Sequence, residues 1–220
     1  MRRASRSAGV CTLLVFACGF ASAQQTQFKG ASSGTFANPD TGVTTGVGTS
    51  QFTWGTGVNG SAPSRFSFAP ANFDITINSG FIFGPRARND REVFSLGRLT
   101  YFNGAIAGGS GANAVELRNR IDLTRPIAAT GTIAVPLTMI NTPNTSDPNA
   151  SADIVNLPRN LPPTALLTSP GVGLVTVDAV GFGNVSGSGF TTTDRFHVRE
   201  GASAQADLLT TGSPRRANPS

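Results

Sequence analysis

Cysteine, histidine and charge are all scarce in this chain of 220 residues, and each scarcity excludes a kind of chemistry. Both cysteines, Cys11 and Cys18, lie in an apolar run near the N-terminus. A mature chain without that run has no disulfide, no thiolate nucleophile and no thiolate metal site. The one histidine, His197, would have to be the base of any Ser–His–Asp site. In a strand pattern it shares one face with Arg195 and Arg199, whereas Phe196 and Val198 fall on the other, so we predict a solvated sheet face instead.

A strong basic field is also missing, although the formal net charge is +5. Arg2, Arg3 and Arg6 belong to an N-terminal leader, and without them 14 basic residues face 12 acidic ones. Two of the remaining cations, Arg215 and Arg216, lie in a tail rich in Pro, Ser and Asn. The body of the chain is therefore neutral, and we expect no nucleic-acid partner.

The first 23 residues have the three parts of a signal peptide. Basic residues are followed by an apolar run at residues 10–20 and by small residues at 21–23. We therefore expect cleavage after Ala23, a mature chain without an integral membrane span, and an extracellular, cell-surface or periplasmic location. Two alternatives stay open. Residues 15–18 resemble a lipobox, which would give a lipoprotein at Cys18, and the apolar run could instead be retained as an anchor helix.

Glycine and proline, by contrast, are abundant, at 26 and 14 residues. Together with many Thr, Ser and Asn residues they are typical of short strands joined by turns, not of helices. Apolar and polar residues alternate in many segments, at intervals of roughly ten residues. We predict an all-β, antiparallel β-sandwich, jelly-roll-like, with about ten short strands.

The sequence predicts one folded domain between two flexible ends. Residues 24–50 are rich in Gly, Thr and Ser, and we expect the first part, residues 24–33, to be a flexible segment. Residues 34–211 carry the strand patterns and have the length of a single domain. Residues 212–220 are rich in Pro, Ser and Arg, and we expect a disordered tail.

The densest apolar stretch of the chain, EVFSLGRLTYFNG, ends in an Asn-Gly pair typical of a turn. Phe94 and Leu96 fall on one face of a regular strand, whereas Leu99 and Tyr101 fall on the other. A β-bulge at Gly97, between the two pairs, would bring all four side chains to one face. A strand that is buried on both faces explains the pattern equally well.

The stretch AVELRNRIDL combines good helix formers with a strand-like alternation. Val115, Leu117, Ile121 and Leu123 occupy alternate positions, and charged residues occupy most of the positions between them. A helix would place charges on its own apolar stripe. We therefore predict a strand, in which Asn119 alone interrupts the inward-facing apolar positions.

An oxygen-rich loop supplies the best candidate metal ligands. We consider as a calcium site the set Asn141, Asn144, Asp147, Asn149 and Asp153. Calcium takes several oxygen ligands, often from such loops. The spacing does not match an EF-hand, and Asn and Asp are also ordinary turn residues, so a plain turn is the alternative. We expect no other cofactor.

Trp54 and Tyr101 are the aromatic side chains with a polar edge, and each is the sole residue of its kind. An exposed Trp54 would stack on a sugar ring and so mark a glycan-binding site, whereas a buried one would only pack in the core. A glycosidase would need two facing carboxylates, and convergent carboxylates in a cleft would favour such an enzyme. The sequence alone indicates no such pair, and we expect no catalysis.

Seven short segments, in this order, carry a family resemblance: GTFANPDTG, GVGTSQFTWGTG, EVFSLGRLTYFNGAI, INTPNTSDP, ADIVNLP, GFGNVSGSGF and FHVREGASAQADLL. Together they resemble bacterial choice-of-anchor K domain proteins, from about Gly34 to Leu209. The resemblance implies an exported bacterial β-sandwich domain, and it brings no catalytic or binding residues with it. Many members end in an apolar sorting helix. The end LLTTGSPRRANPS has none, so we do not expect covalent C-terminal anchoring.

These observations lead to an expected function. We expect an exported, non-enzymatic domain with a structural or adhesive role at the cell surface or in the extracellular matrix. Its partner would be a surface or matrix component, with a glycan as one candidate. The alternative function is a glycan- or calcium-binding module, for which Trp54 and the loop at residues 141–153 are the discriminating features.

Overall fold

The structure, a computed structural model, describes residues 24–79, 93–143, 145–147, 149–156, 164–169, 173–192 and 195–215. The strands are β1 Gln24–Ala37, β2 Thr44–Thr45, β3 Gln51–Trp54, β4 Ser64–Pro70, β5 Asn72–Ser79, β6 Val93–Phe102, β7 Ala114–Arg125, β8 Ala129–Ile140, β9 Asp153–Asn156, β10 Thr164–Ser169, β11 Gly173–Gly187, β12 Gly189–Thr192, β13 Arg195–Val198 and β14 Ser203–Arg215. These residues contain no helix, so the all-β prediction is confirmed. Strands outnumber the roughly ten expected because short ones such as β2 have no alternating pattern to reveal them.

The strands form two antiparallel sheets of seven strands each. The first sheet has the order β12-β13-β9-β8-β7-β1-β5, and the second has the order β10-β11-β14-β6-β4-β3-β2. Buried side chains from both sheets make one hydrophobic core between them. The β-sandwich prediction is therefore confirmed.

Strand β7 confirms the strand prediction for AVELRNRIDL. Val115, Leu117, Ile121 and Leu123 are buried, and the charged residues between them lie on the other face, where they form two ion pairs. Asn119 is buried as well, and neither polar atom of its amide has a hydrogen-bond partner among the described residues. The alternation outweighs helix propensity because it buries one complete face of the strand.

The expectation of a flexible segment at residues 24–33 is wrong, because these residues form the larger part of β1. That strand pairs with β5 along one edge and with β7 along the other. Phe28 and Phe36 anchor it in the core. Within the segment, Gly30 has no room for a side chain, because a Cβ atom there would clash with the carbonyl oxygen of Asp122 on β7 and with the ring of Phe73 on β5. A segment with a linker-like composition is therefore a closely paired strand.

The expected boundary at residue 211 also shifts, since β14 continues to Arg215 and pairs there with Leu174 of β11. The predicted signal at residues 1–23 and the last residues, 216–220, lie outside the described part of the chain. Within the described part, no helical segment has the length and hydrophobicity that crossing a membrane requires.

Strand β6 contains the bulge that the sequence suggested. It pairs with β14, and the register shifts at Leu208, which alone faces both Leu96 and Gly97. Gly97 has a φ of 141°, which residues with a side chain rarely adopt. The extra residue brings the apolar side chains on both sides of the glycine to one face. The buried side chains of this face are Phe94, Leu96, Leu99 and Tyr101. The alternative of a strand with apolar side chains on two faces is therefore wrong.

An aromatic cluster joins the two sheets through this strand. Phe36 of β1 stacks on Phe66 of β4 with 5.7 Å between ring centroids. Trp54 of β3 lies 4.5 Å from Phe66 and 5.4 Å from Tyr101. All four rings are fully buried. Each such pair contributes about 0.5–1.5 kcal/mol beyond the area it buries, so the cluster fixes Tyr101 between the sheets.

Because of the bulge, we expect a side chain at position 97 to lower the stability of the protein substantially. A Cβ atom in Gly97→Ala would lie 2.6 Å from the carbonyl oxygen of Ala69 and would press on the ring of Phe68. We expect a loss of about 1–3 kcal/mol in the free energy of unfolding, measured by urea denaturation.

The matched control is Gly108→Ala, because a Cβ atom there meets nothing within 4 Å. Its stability should stay within about 0.5 kcal/mol of the wild type. Equal stabilities for Gly97→Ala and the wild type would show that the bulge does not need glycine.

Candidate functional site

An open pocket of about 720 Å³ lies at one end of the sandwich. Four connections contribute to it: Thr41 between β1 and β2, residues 103–113 between β6 and β7, the connection between β8 and β9, and the turn between β13 and β14. Asn141, Asp153 and Glu200 supply the polar side chains on which the site is built. Among the described residues that line the pocket, none is Lys, Arg or His.

Asp153, the first residue of β9, is the buried carboxylate of the pocket, with 4% of its surface exposed. Its Oδ1 atom accepts hydrogen bonds from the backbone N–H of Thr142 at 2.6 Å and from the hydroxyl of the same residue at 3.1 Å. Its Oδ2 atom accepts one from the hydroxyl of Tyr101 at 3.1 Å. Burial raises the pKa of Asp153 above its ordinary value, and these hydrogen bonds limit the rise.

Tyr101 reaches Asp153 from the opposite sheet, because β6 and β9 belong to different sheets. Burial raises the pKa of Tyr101 well above 10.0, and both the charge of Asp153 and the hydrogen bond to it act in the same direction. The phenol therefore stays protonated at neutral pH and remains a donor to the carboxylate. The hydrogen bond from Tyr101 to Asp153 thus links β6 of one sheet to β9 of the other beside the pocket.

Asn103 holds the turn that carries Glu200. Its side chain is fully buried, and Nδ2 donates to the carbonyl oxygen of Val198 at 3.0 Å. Its backbone N–H donates to the carbonyl oxygen of Ala202 at 3.0 Å, and its own carbonyl oxygen accepts from Gly201 at 2.8 Å. The turn between β13 and β14 is thus fixed to the end of β6 from three sides.

Two further oxygen atoms of the pocket are closed to solvent and have no hydrogen-bond partner among the described residues. They are Oε1 of Glu200 and Oδ1 of Asn141. Burial raises the pKa of Glu200, and the charge of Asp153 raises it further. The amide of Asn141 is held on its other side, where Nδ2 donates to the carbonyl oxygen of Ala112 at 3.3 Å. A buried acceptor without a partner lowers stability by about 1–3 kcal/mol. A hydrogen-bond donor or a cation that contacts these two atoms would remove that cost.

The structure divides the calcium ligands that the sequence suggested. Asn141 and Asp153 line the pocket, whereas Asp147 and Asn149 serve the loop itself. Oδ1 of Asp147 accepts from the backbone N–H of Asn149 at 2.8 Å, as in an ordinary Asx turn. Oδ1 of Asn149 accepts from Nε of Arg199 at 2.9 Å. Of the described residues, no three or more His, Cys, Asp or Glu side chains are grouped to hold a metal ion.

Asn144, the remaining member of that set, lies outside the described residues. The oxygen-rich loop therefore does not act as a unit. Its two ends contribute to the pocket, and the two described members between them stabilise the turn, which was the alternative interpretation of this segment.

Trp54 does not have the exposure that sugar stacking requires. Its surface is 0% exposed, and its ring packs against Phe52, Phe66 and Tyr101. Nε1 of the indole is buried and has no hydrogen-bond partner among the described residues. The burial contradicts the glycan-stacking hypothesis for this residue and agrees with the core-packing alternative.

His197 is half-buried on β13 and stacks on Phe190, with 4.2 Å between ring centroids. Burial lowers the pKa of His197, and the charge of Arg195 lowers it further. The ring is thus neither fully solvated nor directed at the pocket, whose lining does not include it.

Two residues of the site, Tyr101 and Glu200, are not among the candidates from the sequence. Tyr101 was interpreted as a packing residue, and Glu200, although it lies in the segment FHVREGASAQADLL, carried no predicted role. Their roles depend on register: the pairing of β13 with β9 places Val198 opposite Asp153, and Glu200 follows two residues later. The local signal was only an acidic residue before glycine at the end of a strand.

Neither models of known protein families nor the sequences of curated proteins match this chain. The choice-of-anchor K assignment therefore stays a prediction from the ordered motifs. What the chain does must be inferred from the site and from the fold.

The pocket presents hydrogen-bond acceptors and negative charge. Asp153 and Glu200 are convergent carboxylates, which is the feature that an acid–base hydrolase would need. Against such a role, both oxygen atoms of Asp153 already accept hydrogen bonds from the protein. The described residues that line the pocket also include no aromatic ring on which a sugar would stack. The arrangement suits a cation better than a sugar ring.

The raised pKa of Glu200 predicts how stability changes with pH in protein without added cations. A carboxyl group whose pKa is higher in the folded chain is penalised when it ionises, so stability falls as pH rises above the ordinary value of 4.5. Glu200→Gln removes this penalty. The difference in melting temperature, variant minus wild type, should become more positive from about pH 4 to about pH 7.

Glu116→Gln is the matched control, because Glu116 lies on the outer face of β7 and loses an ion pair with Arg118 instead. Its difference from the wild type should not become more positive over the same range. A flat or falling difference for Glu200→Gln would mean that Glu200 does not carry the buried charge described above.

Proposed function

We propose that the protein is an exported bacterial domain with a structural or adhesive role at the cell surface or in the extracellular matrix, and that it is not an enzyme. The leader pattern at residues 1–23 and the family resemblance support export. Its partner is a surface or matrix component, with a glycan as one candidate.

The observation that most supports a structural role is that buried carboxylates are held by polar side chains of neighbouring strands. Tyr101 and Asp153 join the two sheets. On the second sheet, the carboxylate of Asp207 accepts from Nε of Arg98 and from Nδ2 of Asn184, each at 2.8 Å. In both sets the carboxylate and its donors satisfy one another. A scaffold held in this way suits a mechanical or adhesive part.

A second candidate function is that of a cation-binding module, and the pocket favours it. Two of its acceptors are closed to solvent and unpartnered among the described residues. Calcium dependence is common in extracellular domains, whose calcium affinities are typically weak. The two functions are compatible, because a bound cation would stiffen the same scaffold.

Localisation of the full chain tests the proposed role. In a bacterial host, we expect the protein in the medium or the surface fraction with a mature N-terminus at Gln24, determined by N-terminal sequencing. The control replaces Ala21 and Ala23 by Arg, which blocks signal cleavage and should keep the precursor with the cells.

An uncleaved protein in the cytoplasm would contradict export, and a lipidated Cys18 would replace free secretion by membrane attachment. A different result would contradict the non-catalytic role. Hydrolysis of a glycoside by the purified wild type, abolished in Glu200→Gln, would make the pocket an active site.

A further inference from the structure

Three oxygen-bearing side chains reach the pocket from three different segments. Asn141 follows β8, Asp153 begins β9, and Glu200 lies in the turn after β13. None of the described residues that line the pocket carries a positive charge to balance the two carboxylates. Negative charge is therefore concentrated here without compensation from the chain that the structure describes.

Asp153 has capacity for one more interaction. A carboxylate has about four lone-pair sites, and Asp153 accepts three hydrogen bonds, two from Thr142 and one from Tyr101. Because these donors hold both oxygen atoms, the carboxylate cannot turn away from the pocket. The negative charge of Asp153 is therefore held in a fixed position at the pocket.

Independent evidence for a ligand comes from Glu200 and Asn141. One oxygen atom of each is closed to solvent and has no partner among the described residues. The backbone around both is fixed: Asn103 holds the turn that carries Glu200, and Ala112 holds the amide of Asn141. Both residues line the same pocket, so a species bound there can satisfy both oxygen atoms.

We propose that this pocket binds a divalent cation of the calcium type, with Asp153, Glu200 and Asn141 as its side-chain ligands. Calcium accepts irregular sets of carboxylate, amide and carbonyl oxygens and completes its shell with water, whereas magnesium requires a near-octahedral set. The proposal deepens the second candidate function and does not depend on the structural role. Asp147 and Asn149, which the sequence suggested as ligands, have no part in the site.

A cation in this position would connect the loop after β8 with the turn after β13. Both segments border the Tyr101–Asp153 contact, so the cation would strengthen the same end of the sandwich from the solvent side. The dissociation constant should lie at about 10⁻⁴–10⁻³ M, the range of extracellular calcium modules.

Terbium luminescence tests the position of the site in the full mature chain. Terbium replaces calcium at oxygen sites, and its emission is sensitised by a nearby aromatic side chain. Tyr101 donates to Asp153, and Trp54 lies 5.4 Å from Tyr101, so excitation of either ring should produce terbium emission. Millimolar calcium should abolish this emission, and millimolar magnesium should leave most of it. Absence of sensitised emission, or emission that calcium does not displace, would overturn the proposal.

Two variants locate the ligands, with calcium affinity measured by calorimetry. Glu200→Gln should weaken calcium binding about tenfold or more, because it removes a charged ligand. Asp147→Asn, a matched loss of one carboxylate in the neighbouring loop, should leave the affinity within about twofold. A loss of affinity in Asp147→Asn but not in Glu200→Gln would place the site in the loop and overturn the assignment. Unchanged affinity in both variants would also overturn it. If Glu200→Gln fails to fold without cations, terbium emission from the wild type still tests whether the pocket binds a cation.

Discussion

The hydrogen bond from Tyr101 to Asp153 is the contact on which the pocket end of this sandwich depends. It joins β6 of one sheet to β9 of the other through a carboxylate that has 4% of its surface exposed. Burying such a charge is costly unless donors surround it. Tyr101 and Thr142 supply those donors, and the carboxylate in turn fixes one wall of the pocket. Stability and the binding geometry therefore rest on the same atoms.

That contact depends on the bulge in β6. In a regular strand, Tyr101 would share a face with Leu99 but not with Leu96, because successive side chains alternate. The extra residue at Gly97 turns the end of the strand inward, and the aromatic cluster holds Tyr101 there. Asn103, two residues later, fixes the turn that carries Glu200. The stretch from Gly97 to Asn103 thus contributes to the core, to the hydrogen bond between the sheets and to the position of the pocket residues.

Local patterns predicted much of the fold and little of the site. Alternation identified β7, and the position of Gly97 between two apolar pairs indicated the bulge. Composition misled at residues 24–33, because the segment has a single large apolar side chain, Phe28, and is held in place by pairing with β5 and β7. Asp153 was a candidate ligand, but its partners Tyr101 and Glu200 are remote in sequence. Pairing of β13 with β9 brings Glu200 near Asp153, and packing of one sheet on the other brings Tyr101 to it. Patterns within a single strand carry no information on either.

A double-mutant cycle on Tyr101→Phe and Asp153→Ala, with unfolding by urea in the presence of a chelator, tests the central contact most directly. The cycle isolates the energy that the two side chains share, apart from the other losses of each variant. A buried hydrogen bond to a charged group predicts a favourable coupling of about 1.5–3 kcal/mol. Additive effects of the two changes, within about 0.5 kcal/mol, would contradict the account, because the two side chains would then share no stabilising energy across the sheets.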